Sequence, residues 1–219
     1  MTYITIGIEE KSQDVSGTFS IVAVDPATSV SGAAVASKFP AVGKVVPYVR
    51  ADVGAFCTQH YHNPEWGPIA LDLLAAGNTP EQVLGELLRD DPYRDKRQIS
   101  IIDIKGRTAN INPAGANPSG NWWGSMLGRF YACQGNSLVN REVIISMAGA
   151  YEEKKGSLAD RLIAALVAAD KAGGDRRGRF SAGIRIVRQG FQGSCLELDV
   201  DESDDAVFEL SSLYNSLKY

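Results

Sequence analysis

The chain has 219 residues, which is room for one sizeable domain or two small ones. Hydrophobic residues make up 44% of the chain and charged residues 22%, the composition of an ordinary soluble globular protein. The net charge of −4 gives no electrostatic footprint for nucleic acid or an anionic membrane. The sequence shows neither a membrane-length apolar stretch nor a signal peptide. We therefore expect residence in the cytoplasm, with no nucleic-acid or membrane partner.

The N-terminal residues differ in composition from the rest of the chain. Residues 3–8 are predicted to form a short strand, and residues 9–17 are polar and small, as in a linker. From Thr18 onward the pattern of apolar residues is dense, without a second linker or an internal repeat. The predicted organisation is an extension over 1–17 and a single domain over 18–219.

Strands and helix pairs alternate along the predicted domain. The predicted strands cover residues 18–24, 31–37, 53–59, 99–104, 107–112, 129–134, 180–187 and 195–200. The predicted helices cover residues 68–76, a segment that begins at a capping box at Thr79, and residues 140–156, 157–173 and 203–217. Residues 113–128, with Trp122 and Trp123, are predicted to be a loop. This order suits two antiparallel sheets packed face to face and covered by helices on both sides, an α+β fold.

Thr18 is the first candidate for chemistry, because it opens a strand directly after Gly17. An N-terminal threonine is a nucleophile whose own α-amino group serves as the base, and here that requires cleavage of the Gly17–Thr18 bond. Glycine before the bond suits the strained geometry of such cleavage. Residue type alone favours a purely structural role, since strands prefer β-branched residues.

Lys38 follows Ser37 and a run of small and apolar residues at the end of the second strand. Most lysines are solvated, but pairing of the first two strands would bring this one near Thr18. A partly desolvated lysine there can activate a hydroxyl or accept its proton. One hypothesis therefore has Lys38 activate Thr18 or Ser37 without a free N-terminus.

A charged turn bracketed by glycines follows the fourth helix. Asp175 and Arg177 are predicted to belong to the catalytic site, with Arg176 as a substrate contact, because an oriented carboxylate and an arginine fork suit a carboxylate ligand. The alternative is a solvated turn whose positive charge is favoured at a helix C-terminus.

Amide side chains give further candidates for substrate binding. Gln134, Gly135 and Asn136 end a predicted strand, where backbone N–H groups and an amide can bind an oxyanion, although a plain turn explains the same residues. Gln59 and Asn63 are predicted to be polar residues of a cleft.

Neither a metal nor a cofactor is predicted. His60 and His62 lack a third ligand, and no nucleotide-binding loop or hydrolase elbow occurs in the sequence. The cysteines Cys57, Cys133 and Cys195 lie in apolar runs and are predicted to be buried free thiols.

Several separate motifs, in order, resemble an uncharacterised prokaryotic family, domain of unknown function 1028. The motifs are Thr18-Phe19-Ser20-Ile21-Val22-Ala23, Ala34-Val35-Ala36-Ser37-Lys38-Phe39, Trp66-Gly67-Pro68, Gln134-Gly135-Asn136 and Ala172-Gly173-Gly174-Asp175-Arg176-Arg177-Gly178. That family is regarded as similar to N-terminal-nucleophile hydrolases, which have a four-layer αββα fold.

The resemblance implies an amide-bond hydrolase with Thr18 at the family's leading threonine, and we expect its substrate to be a small amide. It also implies that Lys38 tunes the nucleophile, as a lysine does in proteasome subunits, and that copies associate as a homo-oligomer through their helix layers. The seventeen residues before Thr18 depart from the family pattern, so the N-terminal-nucleophile mechanism requires cleavage at Gly17–Thr18. The alternative hypothesis is a non-catalytic small-molecule-binding or scaffold protein with an unprocessed N-terminus.

Overall fold

Eleven strands and five helices make up the described part of the chain. The computed structural model describes residues 13–114, 121–190 and 195–218. The strands are β1 (Gln13–Val15), β2 (Thr18–Asp25), β3 (Val30–Ser37), β4 (Pro47–Arg50), β5 (Gly54–His62), β6 (Arg97–Asp103), β7 (Thr108–Ile111), β8 (Trp122–Gly128), β9 (Tyr131–Leu138), β10 (Ser181–Arg188) and β11 (Leu196–Val200). The helices are α1 (Trp66–Ala75), α2 (Pro80–Leu88), α3 (Glu142–Glu153), α4 (Leu158–Lys171) and α5 (Ala206–Ser216).

The strands form two antiparallel sheets with helices on their outer faces. The six-stranded sheet has the order β11-β10-β3-β2-β9-β8, and the five-stranded sheet has the order β1-β5-β6-β7 with β4 also paired to β5. Helices α3, α4 and α5 pack on the six-stranded sheet, and α1 and α2 on the five-stranded one. The predicted α+β fold with face-to-face sheets is confirmed as a four-layer αββα sandwich.

The central hairpin β2–β3 sets the positions of the side chains between the sheets. The Asp25 carboxylate accepts hydrogen bonds from the Ala27 N–H and the Thr28 hydroxyl, which fixes the turn. The resulting register places Thr18 directly opposite Ser37. Because side chains alternate along a strand, every second residue from Thr18 faces the other sheet.

Two helix starts follow local sequence signals. Thr79 and Gln82 form a reciprocal capping box at α2, as predicted, and Ser157 and Asp160 form another at α4. Each box satisfies two backbone or side-chain donors of the first turn. The helices lie on the outer faces of the sheets, and the space between the sheets is filled from the strands together with Val42 and Val46, which lie between β3 and β4.

The space between the sheets has an apolar end and a polar end. The apolar end is lined by aliphatic side chains and a cysteine, including Val22, Val24, Ala33, Val35, Ala55, Cys57, Ile102 and Ala132. The polar end is lined by fully buried hydroxyl and amide side chains, Thr18, Ser20, Ser37, Gln59, Gln98, Ser100, Gln134 and Asn136. Both ends are built on the same strands.

The structure corrects four expectations from the sequence. Residues 13–15, predicted to be linker, form β1, and residues 122–128, predicted to be loop, form β8 with a bulge between Trp122 and Gly124. Strand β9 continues through Gly135 and Asn136 instead of ending there. Cys195 is exposed, whereas Cys57 and Cys133 are buried. The predicted strand over residues 3–8 and the central part of the predicted loop lie outside the described residues.

Within those same described ranges, every helix is too short or too polar to cross a lipid bilayer.

Candidate functional site

The Thr18 side chain lies at the polar end, fully buried between the sheets. Its Oγ1 lies 2.8 Å from the Val15 carbonyl oxygen, to which it can donate, and 2.8 Å from Ser37 Oγ. The hydroxyl has one hydrogen, so it donates either to Val15 O or to Ser37 Oγ. The predicted pairing of β2 and β3 thus brings together Thr18 and Ser37, two of the predicted catalytic residues.

The carbonyl group of Gly17 is held by two donors. The Ser37 hydroxyl lies 3.0 Å from the Gly17 oxygen, and the Lys38 backbone N–H lies 3.1 Å from it. Two preorganised donors at this range polarise a carbonyl and stabilise negative charge that develops on its oxygen. Gly17 has a φ of +83°, a conformation that glycine adopts without steric cost.

Gln98 is the centre of an amide network that ends at Gly17. Its Oε1 accepts from Gln59 Nε2 at 2.8 Å and from Asn136 Nδ2 at 2.9 Å. Its Nε2 donates to Gly135 O at 2.8 Å and to Asn112 Oδ1 at 2.9 Å, just after β7. Asn136 Oδ1 in turn accepts from the Gly17 N–H at 2.7 Å. The Ser16–Gly17 peptide group, one residue before the Gly17–Thr18 bond, is therefore fixed by the same network.

A second branch of the network links Gln134 to the strands around it. Gln134 Oε1 accepts from the Ser100 hydroxyl at 3.0 Å, and its Nε2 donates to Cys57 O at 3.2 Å. Ser20 Oγ accepts from Gln134 Nε2 at 3.3 Å and donates to Gln59 Oε1 at 2.7 Å, and so joins the two branches. With every amide bonded, burial of these side chains avoids the desolvation penalty of an unpaired polar group.

The turn with Asp175 and Arg177 borders the same site. Asp175 is 1% exposed and accepts from the Arg177 N–H at 2.8 Å and from Arg177 Nη2 at 3.2 Å. Arg177 Nη2 also donates to the Ser16 carbonyl oxygen at 2.8 Å. A Cβ on Gly17 would lie 1.8 Å from Arg177 Nη2 and 1.9 Å from Asp175 Oδ2. The two charged residues therefore close the space around the Gly17 α-carbon.

Three of the predicted site residues have side chains that contact groups other than Thr18, Ser37 and Gly17. Lys38 is exposed, and its ammonium group lies 5.3 Å from the centroid of the Phe180 ring. The Asn63 side chain accepts from the Glu65 N–H at the turn before α1. Arg176 is exposed and donates to Asn121. Lys38 contributes to the site through its backbone N–H instead.

Sequence reasoning missed Gln98, Ser100 and Ser20. The signal was present in β6, where Gln98 and Ser100 alternate with Ile99 and Ile101. Both sets of side chains are buried because the strand has a helix layer on one face and the second sheet on the other. In a strand covered on both faces, the polar half of an alternating pattern marks a buried polar cluster.

Two buried titratable groups near the site, His62 and Cys57, are neutral at neutral pH. Burial lowers the pKa of His62 to about 4, and burial raises the pKa of the Cys57 thiol to about 12. His62 Nδ1 lies 3.1 Å from Thr58 O, whereas His60 Nδ1 lies 2.8 Å from Lys96 O. In the part of the chain that the structure describes, His, Cys, Asp and Glu side chains form no group of three that could hold a metal.

Comparison with known proteins gives a family and a structural relative. A search of curated proteins finds no match to this chain. The crystal structure of a Silicibacter pomeroyi protein, to which the family model DUF1028 also applies, is 27% identical to this chain with a TM-score of 0.83. The alignment covers 92% of this chain and 86% of that one.

The family model covers most of the domain that contains the site. It is described as a family of unknown function, DUF1028, and it matches residues 18–210. The match begins at Thr18, the residue that follows the bond held by the network. The sequence motifs, the sandwich and this match together establish that the chain belongs to the DUF1028 family.

Proposed function

We propose that this protein is an amide-bond hydrolase of the N-terminal-nucleophile type, acting on a small amide, with Thr18 as the nucleophile after cleavage of Gly17–Thr18. The observation that carries the proposal is the Gly17 carbonyl oxygen, which accepts from the Ser37 hydroxyl and the Lys38 N–H. In an ordinary sheet, one backbone N–H satisfies a peptide carbonyl oxygen, so the oxygen does not need a second hydrogen bond from a hydroxyl. Here that donor also touches the threonine hydroxyl that follows.

Maturation follows from these contacts. The Thr18 hydroxyl donates to Ser37 Oγ while Ser37 donates to Gly17 O, so a proton can pass from Thr18 through Ser37 to the carbonyl oxygen. As the Oγ1–C bond forms, the Gly17 carbonyl becomes a tetrahedral carbon. Collapse breaks the C–N bond while the proton on the former carbonyl oxygen passes to the nitrogen, which re-forms the carbonyl and gives an ester of Thr18. Water then hydrolyses the ester and leaves a Gly17 carboxylate and a free Thr18 α-amino group.

The same groups serve a substrate amide after maturation. The α-amino group of Thr18 accepts the hydroxyl proton as Oγ1 attacks the substrate carbonyl. The carbonyl oxygen takes the place of Gly17 O between Ser37 and the Lys38 N–H. The amine leaves with that proton, and water hydrolyses the acyl ester. Lys38 therefore acts through its backbone, a role distinct from the side-chain activation expected from the sequence.

Turnover of fluorogenic acyl amides by the purified full-length chain tests the proposal. We expect hydrolysis by the wild-type chain and none by Thr18→Ala. Ser31→Ala is the matched control, because Ser31 lies on the same face of β3 as Ser37 but at the apolar end, and we expect it to retain activity. Equal turnover by wild type and Thr18→Ala would overturn the assignment of the nucleophile.

A non-catalytic binding or scaffold protein is the second candidate. One observation favours it: Val15 and Gly17 are buried, so an uncut segment fills the cleft and covers Thr18. In that case the chain stays intact and hydrolyses no amide, while small molecules still raise its thermal stability. Turnover that depends on Thr18 would exclude this candidate.

A further inference from the structure

The residues before the proposed cleavage point lie in the cleft as an extended strand. Strand β1 pairs antiparallel with the last residues of β5, with Asp14 opposite Tyr61 and Val15 opposite His60. Strand β4 pairs with the first half of β5, so β1 continues the same edge. Departure of residues 13–17 would leave the end of β5 unpaired, as an edge that an extended peptide can join through main-chain hydrogen bonds.

Backbone atoms of residues 15–17 form hydrogen bonds with side chains around the cleft. The Ser16 carbonyl oxygen accepts from Arg177 Nη2, and the Val15 carbonyl oxygen lies 2.8 Å from Thr18 Oγ1. The Gly17 N–H donates to Asn136. These contacts depend only on the main chain, so another peptide in the same extended conformation can form the contacts with Arg177 and Asn136.

The three positions before the bond differ in the space around their side chains. At Gly17 an added Cβ would lie less than 2 Å from both Arg177 and the buried Asp175, and its φ of +83° is unfavourable for any residue with a Cβ. Val15 is fully buried in the apolar cluster between the sheets. Ser16 instead faces an open cavity of about 230 Å³ that Lys38 and Arg177 also line, together with Asp14, which belongs to the same segment as Ser16 and would depart with it.

We infer, on the basis of the proposed function, that the substrate is a short extended peptide cleaved on the carboxyl side of glycine. The acyl position admits glycine alone. The position before it is open and adjoins two cationic side chains, so it accepts polar or acidic residues. The third position takes a small aliphatic residue in the pocket that Val15 fills. The segment 13–17 is then the first substrate of the site, and its sequence reports the specificity for later ones.

A peptide panel tests this inference on the full-length chain after the intact mass has shown a Thr18 start and gel filtration has removed the released fragment. The probes are aminomethylcoumarin amides of acetyl-Val-Ser-Gly, acetyl-Val-Ser-Ala, acetyl-Asp-Ser-Gly and acetyl-Val-Glu-Gly. We expect kcat/KM to fall at least tenfold when glycine becomes alanine, and at least tenfold when valine becomes aspartate, because the pocket would bury an unpaired carboxylate. Replacing serine by glutamate should leave kcat/KM equal or raise it.

The outcomes separate this inference from the proposed function. A matured chain that cleaves the glycine and alanine peptides within tenfold of each other, or cleaves none of the peptides, overturns the substrate class while the nucleophile assignment stands. A kcat/KM at least tenfold lower for the acetyl-Val-Glu-Gly amide than for the acetyl-Val-Ser-Gly amide overturns the inference that the position before glycine accepts acidic residues. A chain that keeps its full mass overturns the proposed function, and the inference with it.

Discussion

The apolar and polar ends of the space between the sheets are made by the same strands but obey different rules. At the apolar end, Val22, Val35 and Ile102 fill volume, and any side chain of similar size and polarity would serve. At the polar end, Gln98 and Gln134 require partners at specific positions. The apolar end therefore supplies stability, whereas the polar end fixes the main chain around Gly17 in one geometry.

The buried polar side chains of the polar end are needed only if the geometry that they fix around Gly17 and Thr18 serves the function. An apolar core of the same size would fold without a set of eight buried hydroxyl and amide side chains. The network converges on Gly17 through Asn136 and on Thr18 through Ser37. Variants at matched positions of the two ends therefore separate contributions to cleavage from contributions to stability.

Ser37→Ala should give the largest effect, and it should act on cleavage. The substitution removes one of the two donors to Gly17 O and the proton path from Thr18, and loss of one such donor typically slows catalysis by about 10² to 10³. The rate is measured as the appearance of the 18–219 fragment by intact mass over time. Cleavage at the wild-type rate would contradict the role given to Ser37.

The buried His62, on the end of β5 that carries Gln59, should make stability depend on pH. Its folded pKa of about 4 is below the ordinary value of 6.5, so the unfolded chain binds more protons between these values. The contribution is complete above pH 6.5 and is lost as pH falls toward 4, by about 3 kcal/mol in total. Urea unfolding at several pH values should show a smaller loss of unfolding free energy at low pH for His62→Gln than for the wild-type chain. The same dependence of unfolding free energy on pH in both chains would contradict this role of His62.

Ile102→Val tests the apolar end. The side chain is fully buried between the sheets, so loss of one methylene should lower the free energy of unfolding by about 1 kcal/mol. Because Ile102 contacts the apolar cluster and not the network, the folded variant should cleave Gly17–Thr18 at the wild-type rate. A slowed cleavage with unchanged stability would break the division between the two ends.

Ser31→Ala should have the smallest effect. Ser31 lies on the same face of β3 as Ser37, but its hydroxyl has no hydrogen-bond partner among the residues that the structure describes. Removing it should change stability by roughly 0.5 kcal/mol or less and leave cleavage unchanged, since no bond is lost. Denaturant unfolding and the cleavage rate are measured for Ser31→Ala and Ser37→Ala side by side. A loss of cleavage in Ser31→Ala would show that any polar change on β3 disturbs the site.

Local patterns predicted most of the fold. Alternation and turn residues located β2 and β3, and capping boxes located the start of α2. The structure differs where pairing outweighs composition. Residues 13–15 are a strand because β5 offers an unpaired edge, and residues 122–128 are a strand because β9 does. Such edges depend on tertiary structure, which a linear reading does not contain.

The site was predictable only in part, for a geometric reason. Pairing of the first two strands was expected to bring Lys38 near Thr18, and the register of that hairpin places its neighbour Ser37 opposite Thr18. Gln98 joins the site through packing of one sheet on the other, and no spacing in the sequence encodes that contact. The Lys38 side chain points toward Phe180, which directly precedes β10, and this contact likewise forms only in the folded chain.

The intact mass of the purified wild-type chain is the most direct test of whether the polar end exists to break the Gly17–Thr18 bond. We expect two species, residues 1–17 and residues 18–219, and a single uncut species for Thr18→Ala. A wild-type chain that keeps its full mass after prolonged incubation in the folded state would contradict the role of Thr18 as a released nucleophile.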